Sequence, residues 1–402
     1  MCLTAHFIDR DWKLHKRVIN FCQVPGHTGK IIGQMIEKCL SEWNLNNVLT
    51  VTIDNASSND VVDYLKRKFN NSETDVMQGK YLHMRCAAHI LNLVVKDGLK
   101  NLLKAVAKIR ALVRYVRSSP ARKKKFEACV VEEKIESKSS VCLDVETRWN
   151  STYLMLESSL KFKKAFGNLY GKDFTLQKEM IKLGDDVTSE EWKQVSYLLP
   201  FLKVFYDATL KMSASIYVTS NSYVEVIFGV GEVLSKHLTH EDVGIRNMAS
   251  QMKIKYDKYW GKIDNLNLLL FVSLILDPRW KLVCVEWMVK KAYGVEKGNL
   301  LSMNIKYFFQ SFFEEYQSSI PKSKGGASSS SSTNTSKSSV HPKDKKQDDT
   351  FNFGALLGSE FEMEMGDEDG DVGKKTEWEK YLDDPRESRE SSFNILQWWK
   401  DN

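Results

Sequence analysis

Apolar positions alternate or cluster with β-branched residues over 1–9 and again over 14–24, and the polar stretch 10–13 between them predicts a hairpin turn. Pro25 and Gly26 end the second strand. The period then changes. Ile31, Ile32, Met35, Ile36, Cys39, Leu40 and Trp43 fall on one stripe at helical spacing, which predicts a helix over 27–43. Residues 48–53 (VLTVTI) form a short apolar run, the pattern of a strand covered on both faces, and it runs directly into Asp54. Ser58 or Asn59 can cap a helix reaching about residue 69. Residues 81–86 read as another strand. Residues 87–116 read as one long helix with Ile90, Leu91, Val94, Leu102, Val106 and Ile109 on its buried side. Hairpin, helix, strand, helix, strand, helix is the order of an α/β layered domain, here 1–118.

Beyond it, 119–147 is rich in lysine and glutamate and reads as a solvated connection. The stretch 148–320 is helical almost throughout, with helices predicted near 150–169, 189–212, 218–239, 242–261, 279–294 and 301–316, and a further apolar segment at 265–276. This is an all-α region rather than a second sheet. Residues 321–350 are a serine- and lysine-rich low-complexity run that cannot bury enough apolar surface to offset chain entropy. With the acidic residues after it, 321–374 is expected to be a disordered linker. Aromatic and apolar residues return at 375–402, including Trp378, Phe393, Leu396, Trp398 and Trp399, and so dense a group is expected to dock on something.

The chain has 402 residues, enough for two or three domains, and 27% of them are charged, which suits a soluble globular protein. No apolar run is long enough to span a bilayer, and the first residues lack a secretory h-region. Seven cysteines without a CxxC pair argue against a disulfide framework or a zinc ribbon and for a reducing compartment. The net charge of +6 hides a basic body followed by an acidic tail from 351 onward. A basic body fits a polyanion partner or a merely solvated lysine surface.

Three short segments could carry chemistry. Asp54, at the C-terminal end of a strand, sits where open α/β sheets place ligands and could hold a divalent cation through oxygen, or it could simply form an Asx turn or cap. Cys86 and His89 form a CxxH pair. That spacing fits half a zinc site, a buried thiol beside a hydrogen-bonded imidazole, or a phosphate contact at a helix start. Arg148 and Trp149 offer a guanidinium fork for phosphate and an indole face for an unpaired base, or a tryptophan that anchors the first helix of the α region. Nucleophile signatures such as GxSxG are lacking, and the glycines near Lys30 are too few for a phosphate-cradling loop.

Taken in series, CLTAHFIDRDWKLHKRVINFCQV, VTIDNASSND, MRCAAHILNLVVKDGL, DVETRWNSTYLML, LDPRWK and FNILQWWKDN closely resemble the hAT transposases, and within them the plant sleeper-type, transposase-derived proteins. The resemblance runs in order over nearly the whole chain apart from the linker. It implies a ribonuclease-H-like core, interrupted by an all-α insertion and closed by a C-terminal dimerisation segment that would use Phe393, Leu396, Trp398 and Trp399. It implies strand cleavage and transfer by two metal ions held by three carboxylates. Asp54 resembles the second of these, Cys86 and His89 match the motif whose histidine lies beside the scissile phosphate, and Arg148 and Trp149 match the motif whose tryptophan stacks near a flipped base.

The same resemblance sets the departures. The segments that would carry the first and third carboxylates, and the BED-type zinc finger, have no counterpart in these 402 residues. The expectation is therefore an incomplete core, lacking its first strand, with vestigial Asp54 and His89. The chain is expected to bind DNA in the nucleus without strand-transfer activity, to need no cofactor beyond magnesium for any residual activity, and to pair with itself or with full-length relatives. An active or partner-completed enzyme that recruits Asp144 and Glu146, or a dimerising remnant, are the alternatives.

Overall fold

The computed structural model describes residues 1–45, 47–54, 58–69, 79–137, 139–214, 217–319, 350–365, 376–389 and 393–402. The predicted hairpin is present as β1 (Cys2–Ile8) and β2 (Leu14–Phe21), paired antiparallel with Phe7 opposite His15. Its turn is tied by Asp9, whose carboxylate accepts from the backbone N–H groups of Asp11 and Lys13 and from the His15 ring. Helix α1 (Gly29–Glu42) follows, capped by the Thr28 hydroxyl. Strand β3 (Val51–Ile53), helix α2 (Ser58–Phe69) and strand β4 (His83–Arg85) complete the N-terminal part.

Among the described residues the strands form two separate two-stranded ribbons, β1–β2 and the parallel pair β3–β4. Both ribbons pack with α1 and α2 around a small core of Ile36, Leu40, Val61, Leu65 and Leu82, which Leu3, Ile19, Val51 and Ile53 border. Strand β3 departs from its predicted burial: Val51 and Ile53 are half-buried and Thr52 is exposed, because the helices cover one face of so short a ribbon. Val18 and Phe21 on β2 are largely exposed.

The predicted single helix over 87–116 is two helices, α3 (Ala87–Gly98) and α4 (Leu103–Arg117), joined by a 3₁₀ turn at Leu99–Leu102. The break falls at Gly98, where the side chains of Met248 and Met252 fill the space a Cβ would need. A second difference lies in the expected solvated connection. Residues Pro120–Glu132 form helix α5, with Ser119 as cap, proline in the first turn, and Phe126 and Cys129 buried three positions apart. Phe126 packs against Phe162 and Phe166, so two apolar residues suffice to dock an otherwise charged helix.

The rest is helical: α6 (Trp149–Lys161), α7 (Lys163–Lys172), α8 (Phe174–Ile181), α9 (Ser189–Ser213), α10 (Tyr223–His237), α11 (Val243–Trp260), α12 (Leu269–Ile275), α13 (Lys281–Tyr293) and α14 (Val295–Ser319). These elements and α3–α5 share one large apolar core. Helix α9 starts on a reciprocal capping box between Thr188 and Glu191, and the Glu191 carboxylate also takes the buried Lys108 ammonium at 2.9 Å. Among the described residues no helix is long and apolar enough to cross a membrane.

The linker expected over 321–374 lies partly outside the described residues. Where it is described it is not a bare linker. Residues Phe353–Met365 form helix α15, which buries Phe353, Leu357 and Phe361 against the helical core. Its apolar residues recur every four positions, a pattern that the neighbouring glutamates obscure. Two short helices, α16 (Glu377–Asp383) and α17 (Ile395–Asp401), end the chain.

Candidate nucleic-acid interface

The parallel register of β3 and β4 pairs Ile53 with Arg85. The next residues on each strand, Asp54 and Cys86, therefore leave the ribbon at the same end. Asp54 is exposed. Cys86 occupies the N-cap position of α3 with extended backbone angles and makes no side-chain capping hydrogen bond. His89 follows within the first turn of that helix and is half-buried. A carboxylate, a thiol, the exposed Arg85 and a helix start that carries an imidazole in its first turn thus lie toward the same end of the ribbon, without forming a metal-ligating group. The helix start leaves backbone N–H groups without a side-chain acceptor, and such groups favour anions.

Strand β4 is held at its other end, where it begins. The Asn267 amide donates to the carbonyls of Tyr81 and His83, at 3.2 and 3.1 Å, and the Tyr81 ring packs on Phe308 with centroids 4.3 Å apart. Helix α3 itself packs against α9 and α11. The start of β4 is therefore braced by Asn267, nearly two hundred positions further along the chain, and α3 by the helices packed on it.

Arg148 and Trp149 part company at the start of α6. Arg148 is exposed, whereas Trp149 is only 3% exposed and belongs to the large core. Its indole N–H is buried without a hydrogen-bond partner. The indole face that the sequence offers to a base is enclosed here by protein. The loop before Arg148 is pinned to α4. Arg110 grips the Asp144 carboxylate with two bonds of 2.8 and 2.7 Å, and the Thr152 hydroxyl adds a third at 2.8 Å. Burial pushes the Asp144 pKa up, but the Arg110 and Thr152 bonds outweigh it and hold the carboxyl below its ordinary value. Glu146 pairs with Arg110 and Arg114. Both acids are thus engaged by arginines.

The residues present do not fit a complete two-metal cage. Asp54 offers one carboxylate at the strand end, and one carboxylate cannot fix two ions at a set separation. Among the described residues no group of three or more histidines, cysteines or acidic residues stands close enough to hold a metal ion. No metal-dependent step follows from this set.

The C-terminal segment is docked on its own chain. The Trp399 indole donates to the Leu276 carbonyl at 2.9 Å, and the Tyr381 hydroxyl donates to the Ile275 carbonyl at 2.8 Å. The Trp398 indole donates to Glu387, and the Arg279 guanidinium lies 4.8 Å from the Phe393 ring centre. Phe393, Leu396, Trp398 and Trp399 are all half-buried. The receiving turn is rigid because Asp277, fully buried, accepts from Asn221 and from Arg279. The sequence gives no sign that the LDPRWK turn is the seat of the terminal aromatics.

Residues 1–81 match the family described as the ZBED1 RNase-like domain, 84–201 the ZBED1 RNase-like helical domain, and 221–316 the hAT-like transposase, RNase-H fold. The chain is 33% identical over 408 residues to a Putative AC transposase of Zea mays, covering all of this chain and 47% of that protein. It is 31% identical over 404 residues to the Zinc finger BED domain-containing protein RICESLEEPER 2 of Oryza sativa subsp. japonica, of which it covers 54%. Over 406 residues it is 26% identical to the Zinc finger BED domain-containing protein DAYSLEEPER of Arabidopsis thaliana, covering 53% of it. The chain spans about half the length of these curated relatives.

Proposed function

Because the chain belongs to the hAT-like transposase family, we propose that it is a transposase-derived DNA-binding protein of the nucleus that carries out no strand transfer with its own residues. The observation that carries the reading is the β3–β4 register, which brings Asp54, Arg85, Cys86 and the start of α3 to one end of the ribbon. A cation and a helix start suit a phosphate there. The relatives named for a BED zinc finger support DNA as the partner. Asp54 and His89 are the vestigial members of the catalytic set, and Cys86, His89 and Arg148 are the DNA contacts. Among the described residues Asp54 is the carboxylate at the strand end and Asp144 is held by Arg110, and this set favours binding over cleavage. No cofactor is required, and magnesium would serve only a residual activity. A second copy or a longer relative is the protein partner, through the half-buried Phe393, Leu396, Trp398 and Trp399.

Fluorescence anisotropy of the full chain on duplex DNA, over a series of salt concentrations, tests the reading. Affinity should fall steeply with salt, because phosphate contacts release counterions. Transposon-end DNA incubated with manganese should stay intact. Salt-insensitive binding would overturn the phosphate contacts, and manganese-dependent cleavage lost in Asp54→Asn would replace the proposal with that of an active or partner-completed enzyme.

A further inference from the structure

Many lysines of the helical region are held by carboxylates, Lys125 by Asp173, Lys203 by Asp207 and Lys211 by Glu225 among them. On α11 the same is true of Lys253, which pairs with Asp257 at 2.6 Å, and of Lys255, which reaches Asp97 on α3 at 2.9 Å. Lys258 on that helix differs. It is exposed, and among the described residues it has no ion-pair partner. Arg85, the last residue of β4, is likewise exposed and without a carboxylate partner among the described residues.

Tyr259 brings these two cations together. The Arg85 guanidinium and the Lys258 ammonium each lie 5.8 Å from the centre of its ring, so they are separated by at most twice that distance. Tyr259 is half-buried, and among the described residues its hydroxyl has no hydrogen-bond partner. Its neighbours on α11 are fixed. Tyr256 and Trp260 are buried, the Tyr256 hydroxyl donates to the Ile227 carbonyl at 3.0 Å, and the Trp260 indole donates to the Tyr223 hydroxyl at 3.1 Å. Helix α11 also packs on α3, where the Lys255–Asp97 pair ties it. The field at this edge of the ribbon is positive. Burial first, then the charges of Arg85 and Lys66, lowers the pKa of the nearby His83 ring, against a smaller pull from Asp63.

A guanidinium and an ammonium donate hydrogen bonds and accept none, and a phenol hydroxyl can donate beside them. Such a set suits an anion rich in oxygen, and phosphate takes charge-assisted bonds from both cations. We propose that Arg85, Lys258 and the Tyr259 hydroxyl form a phosphate-binding cluster that carries the backbone of duplex DNA from the end of the β3–β4 ribbon onto α11. The proposal rests on the DNA-binding reading above and adds α11 to the binding surface. Phosphate contacts fix the position of a protein on the duplex and carry no sequence information, so the cluster holds all sequences alike.

The test is a salt titration of the full chain on two duplexes of unrelated sequence, read by fluorescence anisotropy. Lys258→Ala should weaken binding to both duplexes equally and lower the salt slope by about 1, and the double variant Arg85→Ala with Lys258→Ala should lower it by about 2. Lys258→Arg keeps the charge and should keep the slope. Tyr259→Phe removes an uncharged donor, so it should weaken binding about threefold with the slope unchanged. Lys193→Ala, at a comparable lysine–tyrosine pair on α9, should bind as wild type does. Thermal melts matching wild type report an intact fold for each variant. An unchanged slope in Lys258→Ala while Arg148→Ala lowers it, or an equal loss in Lys193→Ala, overturns this inference alone. Failure of the unaltered chain to bind either duplex overturns the DNA reading as well.

Discussion

The Lys281 ammonium donates to the backbone carbonyl of Asp384 at 2.6 Å, across 103 positions of sequence. It also donates to the Tyr381 carbonyl and lies 4.6 Å from the Tyr381 ring centre. Lys281 is 2% exposed and its backbone is left-handed, with φ of 54°. Burial lowers its pKa, against the nearby acids Asp384, Glu387 and Asp383. The turn thus spends an unusual backbone and a buried cation to hold the segment around α16.

Lys281→Met keeps the length of the side chain and removes its donors. Two carbonyls lose a charged partner, a loss of about 2 kcal/mol. Amide hydrogen exchange over 376–389 should speed up while exchange in α3 and α11 stays slow. Unchanged exchange over 376–389 would show that the aromatic contacts alone hold the segment.

Asp144 predicts an acid limb of stability. Its folded-state pKa lies below the ordinary carboxylate value because of Arg110 and Thr152, despite burial. The unfolded state therefore takes up a proton first. The contribution is whole above about pH 4 and fades as pH falls through the folded-state value. Asp144→Asn should cost about 3 kcal/mol near neutral pH, since Arg110 loses its buried partner and keeps only the exposed Glu146, and should flatten the stability curve below about pH 4. Denaturant titrations at several pH values read both effects.

Arg148 and Trp149 should separate binding from stability. Arg148→Ala, at an exposed position, should leave the melting temperature in place and lower the salt slope of DNA binding by about 1. Trp149→Ala should destabilise the fold by about 3–5 kcal/mol through the core space it empties. Thermal melts beside anisotropy decide the matter, and a stable Trp149→Ala protein with weakened DNA binding would return the indole to the interface.

Gly29→Ala probes the contact of α1 with α2. A Cβ there would come within 2.9 Å of the Asp60 carbonyl carbon and the Val61 nitrogen, both backbone atoms that cannot move aside singly. Overpacking of this kind costs about 1–3 kcal/mol. Urea denaturation should show that loss, and an unchanged midpoint would mean that the two helices can separate freely.

The hairpin, α1, α2 and α9–α14 were legible in the sequence because each is written in local periodicity and local capping. Asp54, Cys86 and His89 could be singled out for the same reason: a strand end followed by a helix start is a short-range pattern. Helix α5 escaped because two apolar residues among lysines carry little periodic signal, and their value depends on Phe162 and Phe166 arriving from elsewhere. The inward turn of Trp149 and the seat of Trp399 on the Leu276 carbonyl were decided only by the tertiary structure. Each joins residues tens to hundreds of positions apart, and burial is a property of the surroundings that converge on a side chain rather than of the residues that precede and follow it.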